Sequence, residues 1–150
     1  MVGRVWPRHR HRGRPLNSVV SRHLAVLLLL LLLGLIPVAA YRYAKRRHPN
    51  HLFLISGVAL GSIASPFSLG LYATFFIPYV GLVPGMLGLF ASMFHGVPGF
   101  KVATELGIIP LGVVEGSSEV YLALIDGAIW ATVYGCVGWV IDAIRMARAK

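Results

Sequence analysis

A single cysteine, Cys136, excludes an intrachain disulfide and a cysteine-based zinc site. Charge is scarce: 13% of the 150 residues are Asp, Glu, Lys or Arg, where soluble domains carry about 25%. Acidic residues are scarcer still, with five Asp and Glu against fourteen Lys and Arg, for a formal net charge of +9. Familiar catalytic devices are missing as well: there is no Gly-x-Ser-x-Gly elbow, no His-Glu-x-x-His motif and no phosphate loop. The nearest glycine-rich stretch, residues 81–88, is apolar, has no lysine and follows no strand. No internal repeat is convincing. What is abundant is apolar surface, at 57% of residues and a mean hydropathy of +0.74. That composition excludes a disordered chain and argues against a freely soluble enzyme. The length is that of one domain, with no room for a second core.

The basic residues are unevenly placed. Six arginines, from Arg4 to Arg22, lie in residues 1–22 together with His9 and His11. Pro7, Gly13 and Pro15 interrupt this segment, so the sequence predicts a flexible basic tail. Its partner would be anionic lipid headgroups, at about 1 kcal/mol per basic residue near the surface. Nucleic acid is disfavoured, because Trp6 alone provides no aromatic binding face. The plain alternative is a solvated flank that orients the first helix.

Residues 23–150 read as one all-α, polytopic transmembrane helical bundle with four spans, at about 24–41, 52–76, 82–100 and 120–141. The first contains an unbroken leucine run at 27–33 and no charge. Its eighteen residues reach about 27 Å, close to the hydrocarbon thickness of a bilayer. It also has the form of a secretory signal, with Val38, Ala39 and Ala40 at the cleavage positions. Arg42, Lys45, Arg46 and Arg47 follow at once, and positive charge there hinders export, which favours a retained anchor. Residues 52–100 contain no Asp, Glu, Lys or Arg. One helix of that length would be about 73 Å long, more than twice the bilayer core. The stretch must double back, and residues 77–85, with Pro78, Gly81, Pro84 and Gly85, are the predicted turn. Pro66 is expected to kink the second span. Residues 101–119, which include Lys101, Glu105, Glu115 and Glu119, read as an interfacial or re-entrant segment. Tyr121 and Trp139 bracket the last span as interfacial anchors.

Four spans place both termini on one side of a plasma or inner membrane. With the N-terminus inside, the tail and the C-terminal end put more basic residues in the cytoplasm than Arg42 to Arg47 put outside. That orientation is preferred, although without the first twenty-odd residues the opposite one is about as good.

Small residues recur at four-residue spacing in three spans: Gly57, Gly61 and Ser65; Gly88, Ser92 and Gly96; Gly127, Ala131 and Gly135. In lipid no hydrophobic effect draws helices together, so close backbone approach must, and such stripes permit it. The first span lacks one and is expected to be peripheral. The stripes serve packing within one chain or between copies.

Candidate polar positions are Glu115, Glu119 and Asp126, which fall within about 40° on a helical wheel, and His95, the one histidine inside a span. Asp126 lies five residues, about 7.5 Å, inside Tyr121, and a carboxylate at that depth should face protein or water. Trp130 and Tyr134 follow it at i+4 and i+8, with the Trp130 indole N–H predicted to donate to Asp126. One reading makes Asp126 a cation or proton position with Glu119 and Glu115 as its mouth, and a His95–Asp126 contact would strengthen it. The other makes Glu115 and Glu119 helix-dipole partners behind a Ser117 or Ser118 cap, and Asp126 a paired structural carboxyl. His95 without further ligands holds no metal or haem iron, and Cys136 reads as a buried small hydrophobe. No metal, cofactor or catalytic residue is assigned, so an enzyme is not expected. The expected role is a structural or accessory subunit, or an assembly factor, acting through helix contacts with other membrane subunits or copies of itself. The alternative is a small oligomeric ion or solute pathway.

Overall fold

The computed structural model describes residues 16–79, 81–109 and 117–149, with side chains from Val20 onward and, in the last segment, from Val120. It is all-helical: α1 is Leu16–Arg47, α2 is Leu52–Ala73, α3 is Leu82–Glu105 and α4 is Ser117–Arg148. Short 3-10 turns at Pro49–His51 and Thr74–Phe76 flank α2. The chain has four helical spans long and apolar enough to cross a bilayer, Val20–Arg47, Pro49–Phe76, Leu82–Glu105 and Val120–Arg148, at 24 to 29 residues each, which is compatible with a multi-pass membrane protein.

Three helices run beyond the apolar stretches that announce them. α1 begins at Leu16, inside the segment read as a flexible tail, directly after Pro15, the last of its interruptions in sequence. It also continues through Lys45, Arg46 and Arg47. These are good helix formers, and their charges complement the carbonyl end of the helix dipole. The helix stops there because His48 precedes Pro49 and is pushed out of the α region, to φ −139° and ψ 60°. α3 likewise continues through Lys101 to Glu105, so residues 101–105 are helix rather than part of an interfacial segment. It ends in a left-handed Gly107 (φ 68°), with the Ile108 N–H on the Ala103 carbonyl and the Gly107 N–H on Thr104. That pairing needs the φ only glycine adopts freely. α4 starts at Ser117 and takes in Asp142. Part of the stretch read as re-entrant, residues 110–116 with Glu115, lies outside the described residues, as do the side chains of Ser117, Ser118 and Glu119.

α2 is the central element. α4, α3 and α1 all pack on it, and α3 also touches α4. Among the described residues α1 packs only on α2 and the turns beside it. This is the peripheral position expected of the one span without a small-residue stripe. The turn between α2 and α3 falls at residues 77–81, within the predicted 77–85.

The α2–α4 contact is an antiparallel register of four-residue steps. Gly57 faces the Tyr134 carbonyl, Gly61 the Trp130 carbonyl and Ser65 the Asp126 side chain. Gly138 then faces the Phe53 carbonyl from the other helix. A Cβ at Gly57, Gly61 or Gly138 would overlap backbone atoms of the neighbour, whereas at Gly127 it would lie 3.0 Å from the Ser62 carbonyl oxygen. Ala131 sits at the Gly61 crossing, and Gly135 faces Val58. The first and third stripes thus meet each other inside the chain.

The second stripe divides. Gly88 packs on the Leu71–Tyr72 backbone, but the Ser92 hydroxyl turns back to the Leu89 carbonyl and Gly96 meets nothing within 4 Å. The contact line of α3 instead runs through Gly81, Gly85, Gly88, His95, Gly99 and Ala103, in steps averaging nearer to a helix's 3.6 residues than a strict four does. A strict step of four drifts off the contact face, and Gly96 is the residue it leaves behind.

Candidate polar site between α2, α3 and α4

Asp126, Trp130 and Tyr134 form one line along α4 and turn toward α3. Asp126 is fully buried. Its Oδ1 accepts the Gly99 N–H at 2.7 Å and its Oδ2 accepts the Ser65 hydroxyl at 3.4 Å. A Cβ at Gly99 would collide with the carboxylate, so glycine is what lets an acidic group reach the α3 backbone. The Trp130 indole N–H does not go to Asp126 as the sequence predicts. It donates to the His95 carbonyl at 2.8 Å.

The reason lies in α3. In a regular helix the Gly99 N–H and the His95 carbonyl would pair with each other, four residues apart. Pro98 stands between them, and its ring and missing N–H disturb the helix at this turn. Both groups have partners on α4: Asp126 takes the donor and Trp130, one turn further along, supplies the acceptor's proton. Two α4 side chains thus support the proline-interrupted turn of α3, as freed backbone groups in a lipid-embedded helix require.

His95 completes the cluster. Its Nδ1 lies 2.8 Å from the Ala91 carbonyl and 3.4 Å from Ser68 Oγ, and its Nε2 lies 2.8 Å from the Tyr134 hydroxyl. A carbonyl only accepts, so in the neutral imidazole Nδ1 carries the proton and Nε2 accepts from Tyr134. The Ser68 hydroxyl donates to the Ala64 carbonyl at 2.6 Å. Rings enclose the group, with His95 and Trp130 edge to face at 4.7 Å and Trp130 and Tyr134 at 5.4 Å. His95 and Asp126 are brought to one site, but each hydrogen-bonds to other partners. Trp130→Phe keeps the ring and removes the donor to His95. It should lower stability by about 1 kcal/mol, read in a detergent unfolding titration, and an unchanged midpoint would refute the role given to the indole.

A second buried carboxylate was not singled out from the sequence. Asp142 is fully buried near the C-terminal end of α4. Its Oδ2 accepts the N–H groups of Phe53 and Leu54, both at 2.9 Å. These are first-turn donors of α2, whose own N-cap, His51, makes no side-chain capping bond. Oδ1 has no hydrogen bond but lies 3.9 Å from the Arg145 guanidinium. Arg145 in turn donates to the Pro49 carbonyl and sits 5.7 Å above the Phe53 ring. The sequence signal was present: Gly135, Gly138 and Asp142 continue the α4 stripe at steps of three and four. Beyond the Trp139 anchor, however, an aspartate reads as a solvated flank.

Cys136 is exposed on α4 rather than buried, because the neighbouring Gly135 and Gly138 are the residues that face α2. Among the described residues no group of three His, Cys, Asp or Glu side chains is placed to hold a metal ion. Compared with known protein families, with curated proteins and with solved structures, the chain matches none of them.

Proposed function

We propose that this protein is a multi-pass integral membrane protein that acts as a structural or accessory subunit, or an assembly factor, through helix contacts, with no catalytic role of its own. The observation that carries the reading is how its surfaces are divided. The buried carboxylates, Asp126 and Asp142, hold one helix to another. Outward, among the described residues α1 touches only α2 and its turns, and Leu28, Leu31 and Leu35 are at least half exposed. An apolar helix with one neighbour has faces left for lipid, a second copy or another membrane subunit.

The test is purification from native membrane in mild detergent, with a photo-crosslinking residue at Leu28, Leu31 or Leu35. One membrane polypeptide, or a second copy, joined in fixed stoichiometry through these positions is expected. Crosslinks to lipid alone would overturn the subunit role.

A second reading, the ion or solute pathway, draws on the polar chain through the bundle interior: Asp126 and Ser65, then Ser68, His95 and Tyr134. Asp126→Asn separates the two. It keeps an acceptor for Gly99 and removes the charge, so an accessory subunit retains its partner. Unchanged ion flux in reconstituted vesicles would remove the pathway reading.

A further inference from the structure

A groove of about 630 Å³ runs along α1, lined by Leu35, Val38, Ala39, Arg42, Tyr43, Arg46 and Arg47. Its lining changes character along the helix axis. The first three residues are apolar and the last four carry three guanidinium groups and a phenol. From Leu35 to Arg46 the helix advances about 16 Å, so one continuous face passes from hydrocarbon-like to strongly cationic. Tyr43 is steadied at the junction by His48, with its hydroxyl 3.4 Å from Nε2 and the rings 5.5 Å apart.

The charge is not neutralised from within. The chain has no Asp or Glu before Glu105. Among the described residues the one ion pair is Arg145 with Asp142, within α4, and it uses none of the α1 arginines. The carbonyl end of α1 offsets only about half an elementary charge, which leaves most of the positive charge of Arg42, Arg46 and Arg47 to attract an anion.

We propose that this groove binds an anionic phospholipid of the surrounding bilayer, its phosphate held by Arg42, Arg46 and Arg47 and its acyl chain laid along Leu35, Val38 and Ala39. The proposal rests on the membrane reading above. Guanidinium groups suit a phosphate because their N–H donors meet its oxygens in pairs. The apolar wall selects a lipid over a free phosphate, since only a lipid has a chain to cover it. The site is separate from the basic tail at residues 1–22, which the sequence alone marks for headgroups.

The test uses the full chain reconstituted into phosphatidylcholine vesicles containing a minor fraction of phosphatidylglycerol. The protein is then extracted in mild detergent and its retained lipid quantified by mass spectrometry. Phosphatidylglycerol should be enriched by about ten-fold or more over its share of the vesicle, the scale set by two or three arginines at a phosphate. The triple variant Arg42→Gln, Arg46→Gln and Arg47→Gln should lose that enrichment. Ala39→Trp, which fills the groove without changing charge, should lose it too. Replacing Arg4, Arg8, Arg10, Arg12 and Arg14 by Gln should leave it intact.

Enrichment that follows the tail variant instead, or that is absent from the unmodified chain, overturns the proposal. So does displacement of phosphatidylglycerol by millimolar inorganic phosphate with no effect of Ala39→Trp, which would mark a free-anion site. Flotation with neutral vesicles reads the membrane assignment by itself. A chain that floats without anionic enrichment loses the groove alone, while one that fails to float loses both.

Discussion

Gly61→Leu is expected to force α2 away from α4 and to lower stability by about 3 kcal/mol or more, at the upper end for overpacked sites. The expectation follows from the crossing geometry. Even the Cβ of an alanine would overlap the Trp130 carbonyl and the Ala131 nitrogen. These are backbone atoms of a helix, and no rotamer change moves them aside. The displacement would reach past the glycine, because Ser65 and Asp126 meet one turn along the same register. Gly96→Leu is the matched control. It lies on a span stripe with the same spacing, yet a Cβ there meets nothing within 4 Å, so its effect should stay within about 0.5 kcal/mol. Both are measured by reversible unfolding in mixed micelles as denaturing detergent is raised. Equal effects at the two glycines would refute the α2–α4 register described above.

Asp142→Ala should be nearly as damaging, by about 2–4 kcal/mol, since it strands two backbone donors and an arginine together. The Phe53 and Leu54 N–H groups have no other acceptor within their own helix, because first-turn donors never do. Asp142→Asn keeps an acceptor oxygen and loses the charge facing Arg145, so its effect should be about 1 kcal/mol. Amide hydrogen exchange locates the effect. Protection at Phe53 and Leu54 should be lost in the alanine variant and largely kept in the asparagine one. Loss of stability with undiminished protection at these two amides would mean that Asp142 acts elsewhere.

Helix number, the turn between α2 and α3, and the small-residue notches were legible in the sequence for one physical reason. A chain in lipid must satisfy its backbone within each helix and bring helices together by close contact, and both demands act on residue type and local spacing. Gly57, Gly61 and Ser65 therefore announce a contact face before any partner is known. The limits of α1, α3 and α4 were less legible, because hydropathy marks where a helix leaves hydrocarbon and not where it stops being a helix. Arg42 to Arg47, Lys101 and Asp142 all lie on helical turns beyond the apolar stretch.

Which polar group meets which was decided by the tertiary structure alone. From sequence, Trp130 stands one turn from Asp126 and looks like its donor. In the folded chain the Pro98 turn of α3 presents a carbonyl at His95 and an N–H at Gly99, and these take the indole and the carboxylate separately. In the same way Asp142 acquires its purpose only when the antiparallel register brings the uncapped start of α2 beside it. Spacing along one helix states which side chains share a face, but a hydrogen bond between helices depends on axial register. That register follows from where the glycine notches of two helices let their backbones touch.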